Sequence, residues 1–217
     1  MSRVAGDSVR AGAAPPRARG NRKEQTRASL TDAALRLFVE QGYDATTVDE
    51  IAAAAGVGQR TFFHHFATKE GVLFAGYDER FEDATRAFRA GVAAGSLWDG
   101  LRAATMALVD AIESQRELFL VRNRLYAATP ALRATMLRLN DDWIDNVARE
   151  IAGDLRLDPA RAVAPRLLAS IVNSTNRVAI DLWSGSEGTL SLRELAEEGL
   201  RLIRPAVDAI ERVPDGG

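Results

Sequence analysis

The sequence contains no cysteine and only two histidines, the neighbours His64 and His65. The absence of cysteine excludes disulfides, thiolate nucleophiles, cysteine-ligated zinc and iron–sulfur clusters. A catalytic triad or a histidine-ligated metal would have to be built at the one histidine pair. Adjacent positions on a helix point about 100° apart, which disfavours a shared metal. We therefore predict no catalytic residue, no metal and no cofactor.

Long apolar runs are missing as well. No stretch approaches the roughly 18 residues of a membrane-spanning helix, and the N-terminus lacks the apolar core of a secretory signal. These features predict a cytoplasmic protein without membrane contact. The 217 residues, of which 47% are hydrophobic and 27% charged, are enough for one large domain or two small ones.

Positive charge is concentrated at the N-terminus. Residues 1–30 contain seven arginines and lysines against two acids, although the net charge of the chain is −2. A basic arm on an acidic body is typical of a nucleic-acid contact at one end, and a solvated tail explains the charge equally well. Residues 1–20 are rich in alanine, glycine, proline and arginine without an apolar period, which predicts a disordered arm.

Helical periodicity dominates the rest of the sequence, without a convincing alternating strand pattern or an internal repeat. Glycines, prolines and short polar clusters divide it into about nine segments, which predicts an all-α fold. The predicted helices are 23–41, one that begins at 47, 59–66, 68–89, 97–113, 116–128, 131–153, 159–183 and 190–212.

The stretch from Thr47 to Lys69 has the arrangement of a helix-turn-helix. A capping box, TVDE, begins a helix at Thr47, the glycine-containing turn GVG follows at 56–58, and a short second helix comes next. Phe62 and Phe66 are four residues apart and are predicted to face inward. The outward rows carry glutamine, arginine, phenylalanine and histidine. Because arginine and glutamine can bind guanine and adenine in a bidentate manner, this face suits the DNA major groove.

Residues 23–70 resemble the DNA-binding domain of the TetR family of bacterial regulators. The resemblance rests on F-x-x-x-G-Y at 38–43, TTVDEIAxxAGV at 46–57 and TFFHHFxxKE at 61–70. It implies an all-α homodimer of nine or so helices with an N-terminal three-helix helix-turn-helix domain over 21–67. A long fourth helix would then join this domain to a C-terminal effector-binding and dimerisation domain over 68–217.

The resemblance also implies which side chains meet DNA. Phe63 stands where the family commonly has tyrosine, so that its ring would touch a sugar or a thymine methyl group. Independently of the resemblance, we predict that Arg22, which follows the arm and leads into the first helix, reaches phosphates or the adjacent minor groove. The implied major-groove residues are Gln59, Arg60, Thr61 and His64, and the implied phosphate contacts are Thr47, His65 and Lys69.

Some polar residues of the C-terminal half lie on otherwise apolar helical stripes. A polar group in a core needs a partner or a ligand, so either an internal hydrogen-bond network or a small-molecule site accounts for them. We predict a mostly apolar effector with one polar or anionic end, such as a fatty-acyl compound, whose charge Arg122 would pair. The predicted ligand-binding residues are Met106, Phe119, Arg122, Tyr126, Met136, Leu139, Asn140, Trp143 and Asn173.

These features together predict a dimeric, ligand-responsive transcription regulator that leaves a palindromic double-stranded DNA operator when its effector binds. Its role as a repressor follows the family pattern alone. The helices at 159–183 and 190–212 carry apolar residues on more than one side and suit a homodimer interface. Two alternatives remain, an architectural DNA-binding protein without an effector and a helical enzyme that binds a small molecule.

Overall fold

A computed structural model describes residues 16–158 and 163–212, with side chains from Arg22 onward. These residues form nine α-helices and one short 3-10 helix, and no strand occurs among them, which confirms the all-α prediction. The helices are α1 (Pro16–Gln41), α2 (Val48–Ala54), α3 (Gln59–His65), a 3-10 helix (Glu70–Val72), α4 (Tyr77–Ala94), α5 (Leu97–Ser114), α6 (Arg116–Ala128), α7 (Pro130–Asp154), α8 (Val163–Gly185) and α9 (Leu192–Glu211).

The chain folds as two compact units, the first ending at Val72 and the second starting at Leu73. In the first unit, α1, α2 and α3 enclose a core that includes Phe38, Ile51 and Phe62. In the second unit, α4 to α9 bury two apolar clusters, one of which includes Leu101 and the other Trp183. None of the helices described here is sufficiently long and apolar to cross a membrane.

The first helix begins earlier than predicted. It starts at Pro16 and not at Lys23, so the backbone of residues 16–20 is helical although we predicted it as part of a disordered arm. Proline suits the first helical position, because its φ angle is already helical and its missing N–H is not needed there. Residues 1–15 of the predicted arm lie outside the described residues, as does the predicted start of α8 at 159.

The segment 68–89, predicted as one helix, is divided. Thr68 caps only the 3-10 helix, since its hydroxyl accepts from Gly71 N at 3.2 Å. Gly76 then has a φ angle of +75° in the left-handed region, which interrupts the helical path, and α4 starts at the next residue. At its other end α4 continues beyond the predicted limit of Arg89 and reaches Ala94.

Helices α4 and α5 cross at very short range. A Cβ atom added to Gly91 would lie 2.6 Å from Asp99 O, and one added to Gly100 would lie 2.5 Å from Val92 Cγ2. Both distances are too short for real atoms, so glycine is required at both positions. This contact fixes the register of α4, which carries Arg80 and Phe88, against α5.

Candidate DNA-binding surface and ligand cavity

Helix α2 starts with the capping box that the sequence predicted. The Thr47 hydroxyl accepts from Glu50 N at 3.2 Å, and the Glu50 carboxylate accepts from Thr47 N at 2.8 Å. The carboxylate also accepts from the Thr47 hydroxyl at 2.8 Å. These bonds satisfy backbone groups that the first turn of a helix leaves without partners. They already use the hydroxyl that we predicted to bind phosphate, so that role stays a prediction.

The turn between α2 and α3 is closed by backbone hydrogen bonds. Val57 N donates to Ala52 O at 2.9 Å and Gly56 N donates to Ala53 O at 3.0 Å, a Schellman motif with Gly56 at a φ angle of +70°. Gly58 begins α3 without a side-chain cap. The turn therefore aims α3 through its backbone geometry, and the side chains of α3 remain available for other contacts.

Helix α3 has the inner and outer faces that its periodicity predicted. Phe62 and Phe66 are buried, with ring centres 5.7 Å apart. Phe63 is 50% exposed, an unusual position for a phenylalanine without a partner. Gln59, Arg60 and His64 are exposed, while Thr61 and His65 are half-buried, and Arg22 is exposed on α1.

Lys69 lies in a place that sequence reasoning did not foresee. Its ammonium group donates to Tyr43 O at 2.7 Å and to Thr46 O at 2.9 Å, and it lies 4.2 Å from the centre of the Tyr43 ring. The Tyr43 hydroxyl in turn donates to the Glu70 carboxylate, and the pKa of Tyr43 is raised by burial and by that carboxylate. Lys69 thus ties the α1–α2 loop to the segment after α3, and its contact with phosphate stays a prediction.

His65 is surrounded by positive charge. Burial lowers its pKa, and the charges of His64, Lys23 and Arg27 lower it further. Its Nδ1 atom is buried without a hydrogen-bond partner among the described residues. The Arg27 guanidinium lies 5.4 Å from the centre of the Phe66 ring, so α1 adds basic groups beside α3. This basic edge is suited to a phosphate backbone.

We expect acid to destabilise the free protein through His65 and to strengthen its binding to DNA. Because the folded-state pKa of His65 lies below the value of about 6.5 in an unfolded chain, stability should be lost as the pH falls through that value. A nearby phosphate would favour the protonated ring, so operator affinity should rise from pH 7.5 to pH 5.5. Urea unfolding and DNA titrations at both pH values measure the two trends. His65→Gln should weaken both trends, and an unchanged stability trend in this variant would contradict the assignment.

A cavity of about 580 Å³ lies within the second unit. This volume is in the usual range of ligand sites, roughly 300–1,000 Å³. Its walls come from α4 to α8, and the apolar part includes the Phe81 and Trp143 rings, whose centres are 6.3 Å apart. Seven of the nine predicted ligand-binding residues line it, namely Phe119, Arg122, Tyr126, Met136, Asn140, Trp143 and Asn173.

Two predicted ligand-binding residues are not on the cavity wall. Met106 packs against the apolar cluster around Trp183, and its sulfur lies 3.3 Å from Arg193 Nη1. Leu139 is also absent from the wall, and its carbonyl oxygen accepts from the Tyr77 hydroxyl at 3.1 Å. The helical stripe indicates which side of a helix faces inward but does not distinguish a cavity wall from a packed core.

Arg122 is 2% exposed and lines the cavity, yet it has no anionic partner among the described residues. Burial lowers its pKa to about 10, and the charge of Arg80 lowers it too. Arg80 also lines the cavity, and burial lowers its pKa. The guanidinium carbons of Arg80 and Arg122 lie 4.9 Å and 5.9 Å from the centre of the Phe119 ring. Two cations therefore share one aromatic neighbour.

Other arginines of this unit meet carboxylates. Arg89 forms a bidentate pair with Glu150 at 2.6 Å and 2.7 Å, and Arg204 pairs with Asp208 at 2.6 Å. By contrast, no carboxylate of the described residues lies within 4.0 Å of Arg80 or Arg122. A buried guanidinium without a counter-charge is costly, and such a group is uncommon unless a ligand completes it.

Sequence reasoning missed two of these groups, Arg80 and Asn123. Asn123 Nδ2 is buried and lacks a partner among the described residues, as do Arg122 Nε and Nη1. Arg80 was detectable, because it is four and eight residues before Ala84 and Phe88, both of which are buried on the inner face of α4. Asn123 follows Arg122 directly, and helical periodicity alone does not bring both neighbours to one cavity.

Comparison with known proteins agrees with this architecture. Residues 30–75 match the bacterial regulatory proteins of the tetR family, and residues 95–208 match the MftR C-terminal domain. The transcriptional regulator TcmR of Streptomyces glaucescens is 32% identical over 207 residues, which are 92% of each chain. The transcriptional activator FasR of Mycolicibacterium smegmatis is 31% identical over 206 residues, which cover 88% of this chain and 93% of FasR.

A solved structure has the same fold. FadR from Bacillus subtilis, in complex with stearoyl-CoA, superposes with a TM-score of 0.57 at 18% identity and covers 81% of this chain and 96% of its own. Homodimers and effector binding are typical of the family to which these regulators belong. With matches over both units and a relative of this similarity along nearly the whole chain, the protein belongs to the TetR family of helix-turn-helix transcription regulators.

Proposed function

We propose that this protein is a homodimeric repressor that binds a near-palindromic DNA operator and leaves it when an amphipathic molecule occupies the cavity. The observation that carries the proposal is the cavity itself, whose apolar walls and buried, unpaired Arg122 require a mostly apolar ligand with an anionic end. The stearoyl-CoA in FadR supports a ligand of fatty-acyl type. An architectural protein without an effector has no use for such a cavity.

In this proposal the exposed face of α3 reads the bases. Gln59, Arg60, Thr61 and His64 enter the major groove, Phe63 makes an apolar contact, and His65 with Arg22 lies against the backbone. Thr47 and Lys69 contact phosphates as well, through hydrogen-bonding positions that their internal hydrogen bonds do not use. A two-fold dimer places two such helices one turn of DNA apart, about 34 Å, or a multiple of that distance. Because the two subunits are related by two-fold symmetry, the operator is near-palindromic.

The dimer forms through the outer faces of α8 and α9. Val178 and Leu182 of α8 are 58% and 52% exposed, and Leu202 of α9 is 76% exposed. The two helices approach closely, since a Cβ atom on Gly199 would lie 2.4 Å from Thr175 Cγ2. Their exposed leucines and valines thus form an apolar surface of the kind that a second subunit covers.

Repression requires fewer protein contacts than activation, because a bound dimer can block a promoter without touching RNA polymerase. The relative FasR is an activator, so activation is the alternative that has to be tested. A reporter placed behind the operator decides between them. Deletion of the gene raises expression if the protein is a repressor and lowers it if the protein is an activator.

The DNA assignment is tested by capturing operator fragments from the organism's own genome and then replacing Arg60 with alanine. Loss of a bidentate contact is expected to cost about 1–3 kcal/mol and to relax base preference at one position of each half-site. Arg36→Ala removes an exposed arginine from α1 and serves as the control, since it should leave base preference unchanged. If Arg60→Ala binds the selected operator as tightly as the parent protein does, Arg60 does not contact a base, and the assignment of the DNA-reading face of α3 is wrong.

A further inference from the structure

We infer that Arg80 and Arg122 together form one anion site, and that the effector has a head group with two negative charges on an apolar chain. A phosphate monoester and a short dicarboxylate both have this chemistry. The inference rests on the proposed effector cavity and specifies which ligands it accepts. A ligand with a single charge would leave one of the two guanidinium groups without a direct counter-charge.

The first support is the shared position of the two cations. Arg80 lies in the first turn of α4 and Arg122 in the middle of α6, and both guanidinium groups lie within 6 Å of the centre of the Phe119 ring. The charge of Arg80 is close enough to disfavour the charged form of Arg122. Two like charges in a poorly solvated place repel each other, and an anion that reaches both relieves the repulsion.

The second support is that Arg122 and its neighbour Asn123 bear unsatisfied donors, while two other unsatisfied atoms on the cavity-wall residues, Thr105 Oγ1 and Asn176 Oδ1, belong to α5 and α8. Arg122 Nε, Arg122 Nη1 and Asn123 Nδ2 are buried and have no hydrogen-bond partner among the described residues. A group that only accepts hydrogen bonds satisfies all of them, as a carboxylate or a phosphate does. An alcohol or an amide head would bring donors of its own and would match the donors of Arg122 and Asn123 poorly.

The third support is that neighbouring polar groups are already occupied. The Tyr126 hydroxyl donates to Leu73 O at 2.9 Å, and the Tyr77 hydroxyl donates to Leu139 O. The acidic residues on the cavity wall are paired with other arginines, Glu150 with Arg89 and Asp181 with Arg177. Neither acid pairs with Arg80 or Arg122. The charges of Asp78 and Glu79 favour the charged form of Arg80, but no carboxylate of the described residues lies within 4.0 Å of either guanidinium, so a direct counter-charge would come from a ligand.

The experiment compares octyl phosphate, octyl sulfate, octylmalonate and octanol, which share one chain and differ in head-group charge. Binding is measured by titration calorimetry on the full-length protein. At pH 7.5 we expect the two dianions to bind at least 10-fold more tightly than octyl sulfate, and octanol to bind most weakly. The preference for octyl phosphate over octyl sulfate should shrink at pH 5.5, because a phosphate monoester with a second pKa of about 6 is then mostly a monoanion.

Arg80→Gln should remove the preference for dianions while leaving octyl sulfate binding within a few-fold of the parent. Arg86→Gln is the matched control, because Arg86 is an exposed arginine of the same helix paired with Asp83 at 2.9 Å. Arg80→Lys keeps the charge and should retain part of the preference for dianions. This variant provides the test if Arg80→Gln does not fold. Binding of octyl phosphate over octylmalonate identifies a phosphate as the natural head, and the reverse identifies a dicarboxylate.

Equal affinity for octyl phosphate and octyl sulfate at pH 7.5 would overturn the inference, and so would a preference that survives in Arg80→Gln. Failure of all four compounds to bind would overturn it as well. The proposed DNA-binding function is judged separately by operator capture, which needs no ligand. If octyl sulfate and octyl phosphate bind equally and both release the operator, the inference fails and the proposed function stands.

Discussion

Replacement of Arg122 by methionine is expected to make the ligand-free protein more stable and to abolish its binding of anionic amphiphiles. Arg122 is 2% exposed and unpaired among the described residues, so the folded state bears the desolvation of its charge. Exchange of buried charge for an apolar side chain of similar length often gains about 1–4 kcal/mol. Urea unfolding should therefore show a higher free energy of unfolding for the variant, together with a loss of at least 100-fold in affinity for octyl phosphate.

The control for Arg122 is Arg138→Met on α7, an exposed arginine that does not line the cavity. It should change stability by less than about 0.5 kcal/mol, as surface substitutions usually do. Octyl phosphate at 100 times its dissociation constant should stabilise the parent protein by about 2.7 kcal/mol and leave Arg122→Met unaffected. A variant that is clearly less stable than the parent would mean that Arg122 supports the fold and is not held for a ligand.

Introduction of an acid into the exposed face of α8 is expected to separate the dimer. Val178→Asp places a charge in the middle of the apolar surface that includes Leu182 and Leu202, where a partner subunit would leave it without solvent. Sedimentation should show a monomer at micromolar concentration. Operator affinity should fall by about 100-fold or more, because two linked reading heads gain on the order of 10²–10⁴ over a single one.

Leu137→Asp is the matched control for this prediction. Leu137 is an exposed leucine of α7, 47% accessible, and lies outside the apolar face of α8 and α9. The control variant should remain dimeric and bind the operator as the parent does. A Val178→Asp protein that sediments as a dimer would show that the subunits associate through another surface.

Local sequence determined the elements of the DNA-binding unit. The capping box of Thr47 and Glu50 and the glycine turn at 56–58 act within a few residues, so their geometry follows from the chain order. The inward direction of Phe62 and Phe66 follows from the period of the helix. The same rule placed Arg122 and Trp143 on inner stripes, and both line the cavity.

Tertiary structure decided how distant residues meet. Lys69 bonds to Tyr43, 26 residues away, and this contact, which the sequence did not predict, supports the α1–α2 loop. Phe119 and Arg122 are three residues apart on α6, and Arg80 lies over the same ring only because the fold brings α4 near α6. Periodicity shows which face of a helix points inward. It does not show which helix packs against that face or how deeply a residue is buried, because these depend on tertiary packing such as that at Gly91 and Gly100. For that reason the sequence predicted one polar or anionic end on the ligand from Arg122 alone, while the inference of a second charge depends on the position of Arg80 in the folded chain.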